Sequence, residues 1–432
     1  MTFTIGIRRE DKNEWERRVP ITPNHVNELK TKYDINTVIQ PSKIRVFPDD
    51  DYESRGAKVN ENLSSSSIVF AVKEIPIKFL EPKKTYVFFS HTIKGQKYNM
   101  PMLKKMMELE CNLIDYEKIT DDKGRRLVFF GRFAGLAGML DTLWAFGQRM
   151  RWKEVKTPFT DIRPTIKYKD LDEAKLHLKE IGEKIKNEGL PDSLVPLVVG
   201  FAGYGNVSQG AQEILDVLPV EEISPQQLES IKQNPSNKVI YKVIFKEEHL
   251  VERNSKDKEF DLQEYYTQPE LYHSIFHQYI DTLSILMNCI YWTKKYPRLI
   301  TKDYVKENYD CKTKLQVVGD ISVDINGAIE FTDKSTEPDR PIYVYNHLSG
   351  EVIDGFAGSG IVVMAVDNLP CEVPKESSQA FSNSLFPFVP SIAKADFSVD
   401  FDNLDLPPEI KKAVILHHGT LTPDYQYINK FL

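Results

Sequence analysis

A lysine and a histidine each stand at the end of an apolar run in the first part of the sequence. Lys73, together with Glu74, ends the run IVFAVKE, and His91 ends the run TYVFFSH. A lysine acts as a base where burial or nearby cations lower its pKa, and a histidine exchanges protons near neutral pH. Either residue alone could equally be a solvated or locally hydrogen-bonded strand end. The two residues at successive strand ends indicate acid–base chemistry.

Two pairs of arginines could hold an acidic substrate. Arg17 and Arg18 follow the first apolar run in ERRVPITP, and Arg125 and Arg126 follow a turn and begin an expected strand in DDKGRRLVFFG. Guanidinium groups bind carboxylates through two parallel hydrogen bonds, so these pairs indicate a ligand with several carboxylates. The alternative for the second pair is a basic strand start that balances the two aspartates before it.

A glycine-spaced turn in the middle of the chain predicts a dinucleotide site. The segment LVVGFAGYGNVSQGA (197–211) is an apolar run, a turn at Gly203 and Gly205, and the start of a helix. The amides and the dipole at a helix N-terminus attract phosphate, and glycine lets the backbone approach it. The third position of the GxGxxG pattern is Ser208, and a glycine follows only at Gly210, so the pattern is a variant. An ordinary strand-to-helix turn that uses glycine for positive φ is the alternative.

Acidic residues after the turn bear on the choice of nucleotide. The second strand of this unit is expected to end at Glu221 and Glu222, and an acidic residue about 20 positions after the glycines favours NAD over NADP. A second glycine-rich stretch, DGFAGSGIVVMAVDNLP, has its glycines before a strand, which is the wrong order for phosphate binding. Asp367 and Asn368 at its far end are placed to face a ligand. Asp320 and Asp324 in GDISVDINGA are placed in the same way. The equal alternative is that their side chains cap turns.

Strand-like and helix-like segments alternate from the N-terminus, which predicts an α/β fold with doubly wound parallel sheets. Thr22 and Pro23 mark the start of the first helix, because threonine caps helices and proline suits their first turn. Residues 219–279 are charged and poorly periodic, so we expect them to leave the sheet. Near the C-terminus, SSQAFSNSLFPFVPSIAKA and PPEIKKAVILHHG are expected to be helices.

The length predicts more than one domain. At 432 residues the chain exceeds the roughly 250 to 300 residues at which one hydrophobic core usually stops growing. We expect two Rossmann-like domains, a substrate and catalytic domain of residues 1–132 with 372–432, and a dinucleotide-binding domain of residues 133–371. The strand ends of both sheets would then face an active-site cleft between the domains.

Composition and charge exclude several functions. The net charge of −7 argues against a nucleic-acid surface, which needs a basic face. Cys111, Cys289, Cys311 and Cys371 lie far apart without CxxC or Cys/His spacing, so we expect no metal site and no disulfide framework, and a reducing compartment fits best. No signal core and no membrane-length apolar segment is visible, so we expect a cytoplasmic protein, or a mitochondrial one if a leader has been removed.

The sequence resembles the lysine-ketoglutarate reductase portion of bifunctional alpha-aminoadipic semialdehyde synthase over nearly its whole length. It is more distantly similar to the lysine-forming saccharopine dehydrogenases of fungi and to alanine dehydrogenase. The motifs that carry the resemblance are REDKNEWERRVPITP, KTYVFFSHTIKGQ, LIDYEK, GYGNVSQGAQ, NCIYW, GDIS, AVDNLP and GTLTPDYQYI. The resemblance implies a first domain like the N-terminal domain of alanine dehydrogenase. It also implies a reaction in which L-lysine, 2-oxoglutarate and a reduced nicotinamide nucleotide give saccharopine by hydride transfer to an imine.

The resemblance also assigns roles to residues. Lys73 and His91 match the catalytic pair, which would move the protons that imine formation and reduction require. The residues that match substrate contacts are Arg18, Gln96, Arg126, Phe130, Ser322, Val323 and Asp324. The residues that match dinucleotide contacts, with Gly203 of the turn added, are Arg125, Gly205, Asn206, Val207, Ile321, Val366, Asp367, Asn368 and Leu369. Saccharopine has three carboxylates, which gives the arginines a chemical reason.

The choice between NAD(H) and NADP(H) stays open, and so do two alternative functions. The resemblance favours NADP(H), whereas the acidic residues after the turn favour NAD(H). Expected partners are small molecules and a separate or fused glutamate-forming saccharopine dehydrogenase, with no nucleic acid and no membrane. One alternative function is an alanine-dehydrogenase-like enzyme that reduces the imine of a small 2-oxo acid and ammonia, although Arg125 and Arg126 favour a larger acidic substrate. The other is a nucleotide-binding sensor without turnover.

Overall fold

The chain folds into two compact units, each with its own sheet and core. The computed structural model describes residues 3–255, 258–310 and 313–432, so Cys311 lies outside the described residues. One unit is Met1–Phe130 with Pro374–Leu432, and the other is Gly131–Val373. Buried apolar side chains fill a separate core in each unit. Among the described residues, no helix combines the length and the apolar character needed to cross a membrane.

The strands are, in chain order, β1 (Phe3–Ile7), β2 (Ile35–Ile39), β3 (Lys58–Val59), β4 (Ile68–Phe70), β5 (Thr85–Phe88), β6 (Asn112–Asp115), β7 (Val198–Ala202), β8 (Val220–Ile223), β9 (Ile240–Phe245), β10 (Val251–Arg253), β11 (Tyr272–Ser274), β12 (Ile285–Asn288), β13 (Val317–Asp320), β14 (Ile342–Tyr345), β15 (Val352–Asp354), β16 (Ile361–Met364), β17 (Val414–His417) and β18 (Thr420–Leu421).

The α-helices are α1 (Pro23–Tyr33), α2 (Asp49–Glu53), α3 (Met100–Glu108), α4 (Gly131–Trp152), α5 (Leu171–Glu188), α6 (Asn206–Leu215), α7 (Leu228–Ile231), α8 (Glu247–Leu250), α9 (Leu262–Thr267), α10 (His277–Ile280), α11 (Lys302–Asn308), α12 (Pro374–Leu385), α13 (Val389–Lys394) and α14 (Pro408–Lys411). As predicted, α1 begins at Pro23 after Thr22. Helix α5 begins after Asp170, whose side chain accepts a hydrogen bond from the amide of Glu173 at 3.1 Å.

The sheet of the first unit has the order β18-β17-β6-β5-β4-β1-β2-β3. Strands β1 to β6 are parallel, and β17 is antiparallel to both of its neighbours. The chain runs from β1 to β2 and β3 on one side, and then from β4 to β5 and β6 on the other. The direction of winding therefore switches between β1 and β4, and ligands bind at the carboxyl ends of strands at such a point.

The sheet of the second unit has the order β15-β14-β16-β13-β12-β7-β9-β8. It is parallel from β8 to β16, with β14 and β15 added as an antiparallel edge. Strand β7 is buried throughout, as expected for a strand covered on both faces. The direction of winding switches between β7 and β12. The two sheets confirm the predicted doubly wound α/β fold.

Three local expectations are wrong. Residues 219–279 do not all leave the sheet, because β8 and β9 belong to it and only the part from 246 onward, with the β10–β11 ribbon, departs. The run AVILHH is strand β17 rather than helix, since a short apolar run does not distinguish the two by periodicity. The strand expected after Arg125 is reduced to an isolated bridge between Thr120 and Arg126.

Candidate active site

Lys73 lies just beyond β4, at the switch point of the first unit. Glu10, beyond β1, accepts hydrogen bonds from the amides of Val72 and Lys73 at 2.7 and 3.0 Å, so it ties the ends of β1 and β4 together. Burial, reinforced by the charge of Glu16, raises the pKa of Glu10 to about 7. Burial and then the charge of Arg18 lower the pKa of Lys73. Lys73 therefore gives up its proton more readily than a lysine in water.

His91 and Glu74 form a hydrogen-bonded pair beyond β5 and β4. Nδ1 of His91 lies 2.6 Å from Oε1 of Glu74, which also receives Nδ2 of Asn99 at 3.3 Å, while Oε2 pairs with Lys12 at 3.1 Å. Burial by itself would raise the pKa of Glu74, but the hydrogen bond and charge of His91 outweigh it, so this pKa lies below its ordinary value. The ionised carboxylate accepts a hydrogen bond from the N–H at Nδ1 of His91. In the neutral ring, Nε2 then carries no proton and can accept one.

The backbone at His91 supports a functional role for this residue. Its φ is 49°, in the left-handed region that residues other than glycine seldom adopt. Such conformations persist only where the surrounding structure imposes them, and they cluster at functional sites.

Arg18 is held in a fixed orientation by a carboxylate and an aromatic ring. Its Nε and Nη2 donate to the two oxygens of Glu16 at 2.7 and 2.5 Å, and both side chains are buried. The guanidinium lies over the ring of Phe130 at 4.3 Å, and that ring stacks on Phe381 at 4.5 Å. A guanidinium has five N–H groups in a rigid plane, so this arrangement suits the binding of a carboxylate.

Arg125 and Arg126 form ion pairs with two different acidic residues. Nε of Arg125 pairs with Asp121 at 2.7 Å and is largely exposed, as the charge-balance alternative predicts. Arg126 pairs with Glu117 and is half-exposed. Gln96 is partly buried, and its side-chain oxygen accepts a hydrogen bond from a nearby backbone amide at 3.2 Å.

In the second unit, the glycine turn leaves β7 as a phosphate-binding turn would. Gly203 has a φ of 96°, and its amide donates to the carbonyl oxygen of Phe245 at 3.0 Å. Gly205 is the N-cap of α6, and no heavy atom of the described residues outside its immediate neighbours lies within 4 Å of a Cβ built there. The first amides of α6 therefore open onto free space, where an anion can bind.

The displaced third glycine serves helix packing. A Cβ on Gly210 would lie 2.0 Å from the carbonyl oxygen of Arg132, and one on Gly135 would lie 1.9 Å from that of Val207. Helices α4 and α6 therefore cross with their backbones in contact. Ser208, which occupies the usual third position, is buried within α6.

A cavity of about 470 Å³ opens at the glycine turn. It is lined by Gly203, Tyr204, Gly205, Glu247, Leu250, Tyr265, Tyr266, Cys289, Ile290, Tyr291, Trp292 and Tyr296. These residues come from the turn after β7, from α8, from the segment that follows β12 and from α9. A pocket of this size, aromatic with few polar groups, is typical of small-molecule and cofactor sites. Together with the open helix N-terminus, it fits a nicotinamide nucleotide.

The remaining candidates in the second unit lie beyond parallel strands of the same sheet. Asn206 and Val207 begin α6, Ile321, Ser322, Val323 and Asp324 follow β13, and Val366, Asp367, Asn368 and Leu369 follow β16. Oγ of Ser322 donates to the carbonyl of Ile290 at 2.6 Å.

The carboxylate of Asp320 accepts hydrogen bonds from residues of its own unit. It is buried and accepts from Asn288 at 2.8 Å, from Thr332 at 2.6 Å and from the amide of Val323 at 3.2 Å. Burial raises the pKa of Asp320 to about 6. This geometry matches the turn-capping alternative.

Sequence reasoning missed the carboxylates that organise the first site and one that lines the cavity. Glu10 and Glu16 lie in REDKNEWERR beside the arginines, so the density of acidic and basic residues in this segment is the signal that could have found them. Glu247 had no such signal, because the strand order that brings it to the turn is not visible in the sequence.

Comparisons with known proteins agree with the fold of both units. Residues 6–137 match the alanine dehydrogenase/PNT N-terminal domain, and residues 271–424 match the alanine dehydrogenase/PNT C-terminal domain. The fold is similar to a solved L-alanine dehydrogenase, with a TM-score of 0.63 and 17% identity over 99% of this chain and 100% of the other.

Curated relatives share more sequence. The alpha-aminoadipic semialdehyde synthase of Arabidopsis thaliana is 39% identical over 98% of this chain and 41% of its own length, and the mitochondrial one of Bos taurus is 36% identical over 99% and 47%. This chain thus spans less than half the length of these relatives. The saccharopine dehydrogenase [NAD(+), L-lysine-forming] of Candida glabrata is 25% identical over 90% of this chain and 91% of its own.

Proposed function

Because residues 6–137 and 271–424 match the two domains of the alanine dehydrogenase/PNT family and the chain is homologous to the alpha-aminoadipic semialdehyde synthases, we propose that it is a lysine-2-oxoglutarate reductase. It would condense L-lysine with 2-oxoglutarate and reduce the resulting imine to saccharopine, as an NAD(P)-dependent oxidoreductase that acts on a CH–NH bond. The observation that carries this proposal is Lys73, with its lowered pKa, beside the buried Arg18 at the switch point of the first sheet.

The residues of the first unit would bind the substrates and move protons. Arg18, fixed by Glu16 and Phe130, binds a substrate carboxylate. Lys73 accepts a proton from the lysine ammonium, so that the free amine can attack the carbonyl of 2-oxoglutarate. Nε2 of His91 exchanges protons with the oxygen that leaves as water, and Glu74 holds the ring in one tautomer.

The second unit would hold the nucleotide. The amides at the start of α6 and the turn at Gly203 and Gly205 bind the pyrophosphate, and the cavity beside them takes the adjoining part of the molecule. The nucleotide supplies the hydride that reduces the imine carbon. The resemblance favours NADP(H), whereas the name of the Candida glabrata relative specifies NAD(+) for that protein.

The test is a spectrophotometric assay of the purified chain. Enzyme mixed with L-lysine, 2-oxoglutarate and NADPH or NADH should consume the absorbance of the reduced nicotinamide and form saccharopine. A second assay with the same readout, with ammonium in place of lysine and pyruvate in place of 2-oxoglutarate, tests the alanine-dehydrogenase alternative. Folded protein that consumes neither nucleotide with lysine and 2-oxoglutarate would overturn the proposal.

The proposal extends to partners and compartment. Saccharopine would pass to a glutamate-forming saccharopine dehydrogenase, on a separate or a shared polypeptide. The reaction would take place in a reducing compartment, because Cys111 and Cys371 are buried free thiols. We favour the cytoplasm, and the bovine relative is named mitochondrial. Fractionation of cells that express the complete gene product would distinguish the two compartments.

A further inference from the structure

We infer that Glu247 makes this chain select NAD(H) over NADP(H). The inference rests on the proposed nucleotide site and refines it, since the resemblance by itself favours the phosphorylated nucleotide. Glu247 lines the cavity at the glycine turn, and the order of the strands places it there.

Strand β9, not β8, lies beside the strand that carries the glycine turn. Ala202, at the end of β7, is paired with Phe245, at the end of β9, and the amide of Gly203 donates to the carbonyl of Phe245 at 3.0 Å. Glu247 is the second residue beyond that strand end. In doubly wound nucleotide domains, an acidic residue at the end of the strand beside the glycine strand accepts a hydrogen bond from the adenosine ribose.

The acidic residues that follow the glycines at the usual spacing are in the wrong place. Strand β8 is the edge strand, so Glu221 and Glu222 are two strand spacings from β7, about 10 Å. Glu222 is paired with Lys242, three residues before the end of β9, and its carboxylate forms an ion pair with the Lys242 ammonium at 2.9 Å. The expectation of an acidic residue about 20 positions after the glycines therefore selects the wrong glutamates in this chain.

The carboxylate of Glu247 is held by tyrosine hydroxyls. The hydroxyl of Tyr266 donates to Oε1 of Glu247 at 2.5 Å. Tyr204, the residue between the two glycines of the turn, is also hydrogen-bonded to Glu247, and burial together with this carboxylate raises the pKa of the Tyr204 hydroxyl. The acidic group is thus held at the wall of the cavity by two hydroxyl groups.

The cavity offers no counter-charge to a phosphate. Within the described part of the chain, no lysine or arginine lines it. Lys246 is exposed, and Lys295 donates to the carbonyl oxygen of Tyr266 at 3.3 Å and lies over the ring of Tyr296. A 2′-phosphate carries close to two negative charges at neutral pH and would meet the Glu247 carboxylate, whereas a 2′-hydroxyl can donate to it.

The test is a pair of binding titrations that need no substrate. The dissociation constants of NADH and NADPH are measured by fluorescence on the wild-type chain and on Glu247→Gln, with circular dichroism to verify folding. We expect NADH to bind at least about tenfold more tightly than NADPH to the wild type. Glu247→Gln should reduce that ratio severalfold, chiefly by strengthening NADPH binding.

Two matched variants serve as controls. Glu248→Gln removes the same charge from an exposed neighbour, and Glu222→Gln tests the residue that the spacing rule would choose. Both should leave the ratio unchanged. Equal or tighter NADPH binding to the wild type, an unchanged ratio in Glu247→Gln, or a ratio that moves with Glu222→Gln would overturn the inference. Clear NADH preference without turnover of lysine and 2-oxoglutarate would support the inference while refuting the proposed reaction.

Discussion

Nδ1 of His91 lies 2.6 Å from Oε1 of Glu74, so the imidazole and the carboxylate act as one unit at the ends of β5 and β4. The carboxylate fixes which ring nitrogen carries the proton. Lys12 and Asn99 bind the same carboxylate and limit its movement.

Replacement of Glu74 by Gln should lower kcat and alter its pH dependence. The amide carries no negative charge to stabilise His91 once its Nε2 has taken a proton, so we expect kcat to fall by roughly a hundredfold while nucleotide affinity stays the same. Steady-state rates across pH and a nucleotide titration measure both effects. Glu108→Gln, which removes an exposed partner of Lys105, is the control. A pH profile identical to that of the wild type would contradict the role given to Glu74.

Lys73→Met should lower kcat by about a hundredfold or more, because the variant lacks the amine that we propose accepts the proton from the substrate ammonium. In the wild type, kcat/KM should rise as Lys73 loses its proton. Because burial and Arg18 lower the pKa of Lys73, that rise should lie below the ordinary lysine value of 10.5.

The control for Lys73 is Lys78→Met, an exposed lysine on the same segment. It should leave the rate and the pH profile unchanged. If Lys73→Met retained the wild-type kcat, Lys73 would not be the proton acceptor.

Glu16→Gln should destabilise the first unit by about 3 to 5 kcal/mol, because Arg18 would be left buried without its carboxylate. Calorimetric melting of the variant measures this loss. Glu61→Gln breaks the more exposed ion pair with Arg9 and should cost no more than about 1 kcal/mol. Equal losses of unfolding free energy in the two variants would show that the buried ion pair stabilises the fold no more than the exposed one.

Gly210→Ala should lower the free energy of unfolding of the second unit by about 1 to 3 kcal/mol, because the added methyl group would overlap the carbonyl oxygen of Arg132. Gly205→Ala meets open space and should cost about 1 kcal/mol or less as an N-cap change. It should nevertheless weaken nucleotide binding, since its methyl group stands where the pyrophosphate approaches. Denaturant unfolding and nucleotide titration of both variants separate the two effects, and equal unfolding free energies would refute the packing role of Gly210.

The elements that carry the two sites follow from local sequence, and several of their contacts do not. The runs that end at Lys73, His91 and Gly203 are apolar because parallel strands are buried on both faces, so their ends could be found without a structure. The pairing of Arg18 with Glu16 needed the side-chain geometry. The position of β9 between β7 and β8 depends on pairing between distant segments, which periodicity does not encode, and this is why Glu247 was not foreseen.

The close packing of Gly135 against Gly210 bears on where a nucleotide-binding fragment of this chain could begin. Helix α6 rests on α4, which ends at Trp152, well before the glycine motif begins. A fragment cut at β7 would keep every residue of the motif and lose the surface that seats its helix. A transplantable nucleotide-binding module must therefore start at Gly131, upstream of the residues by which a motif search would recognise it.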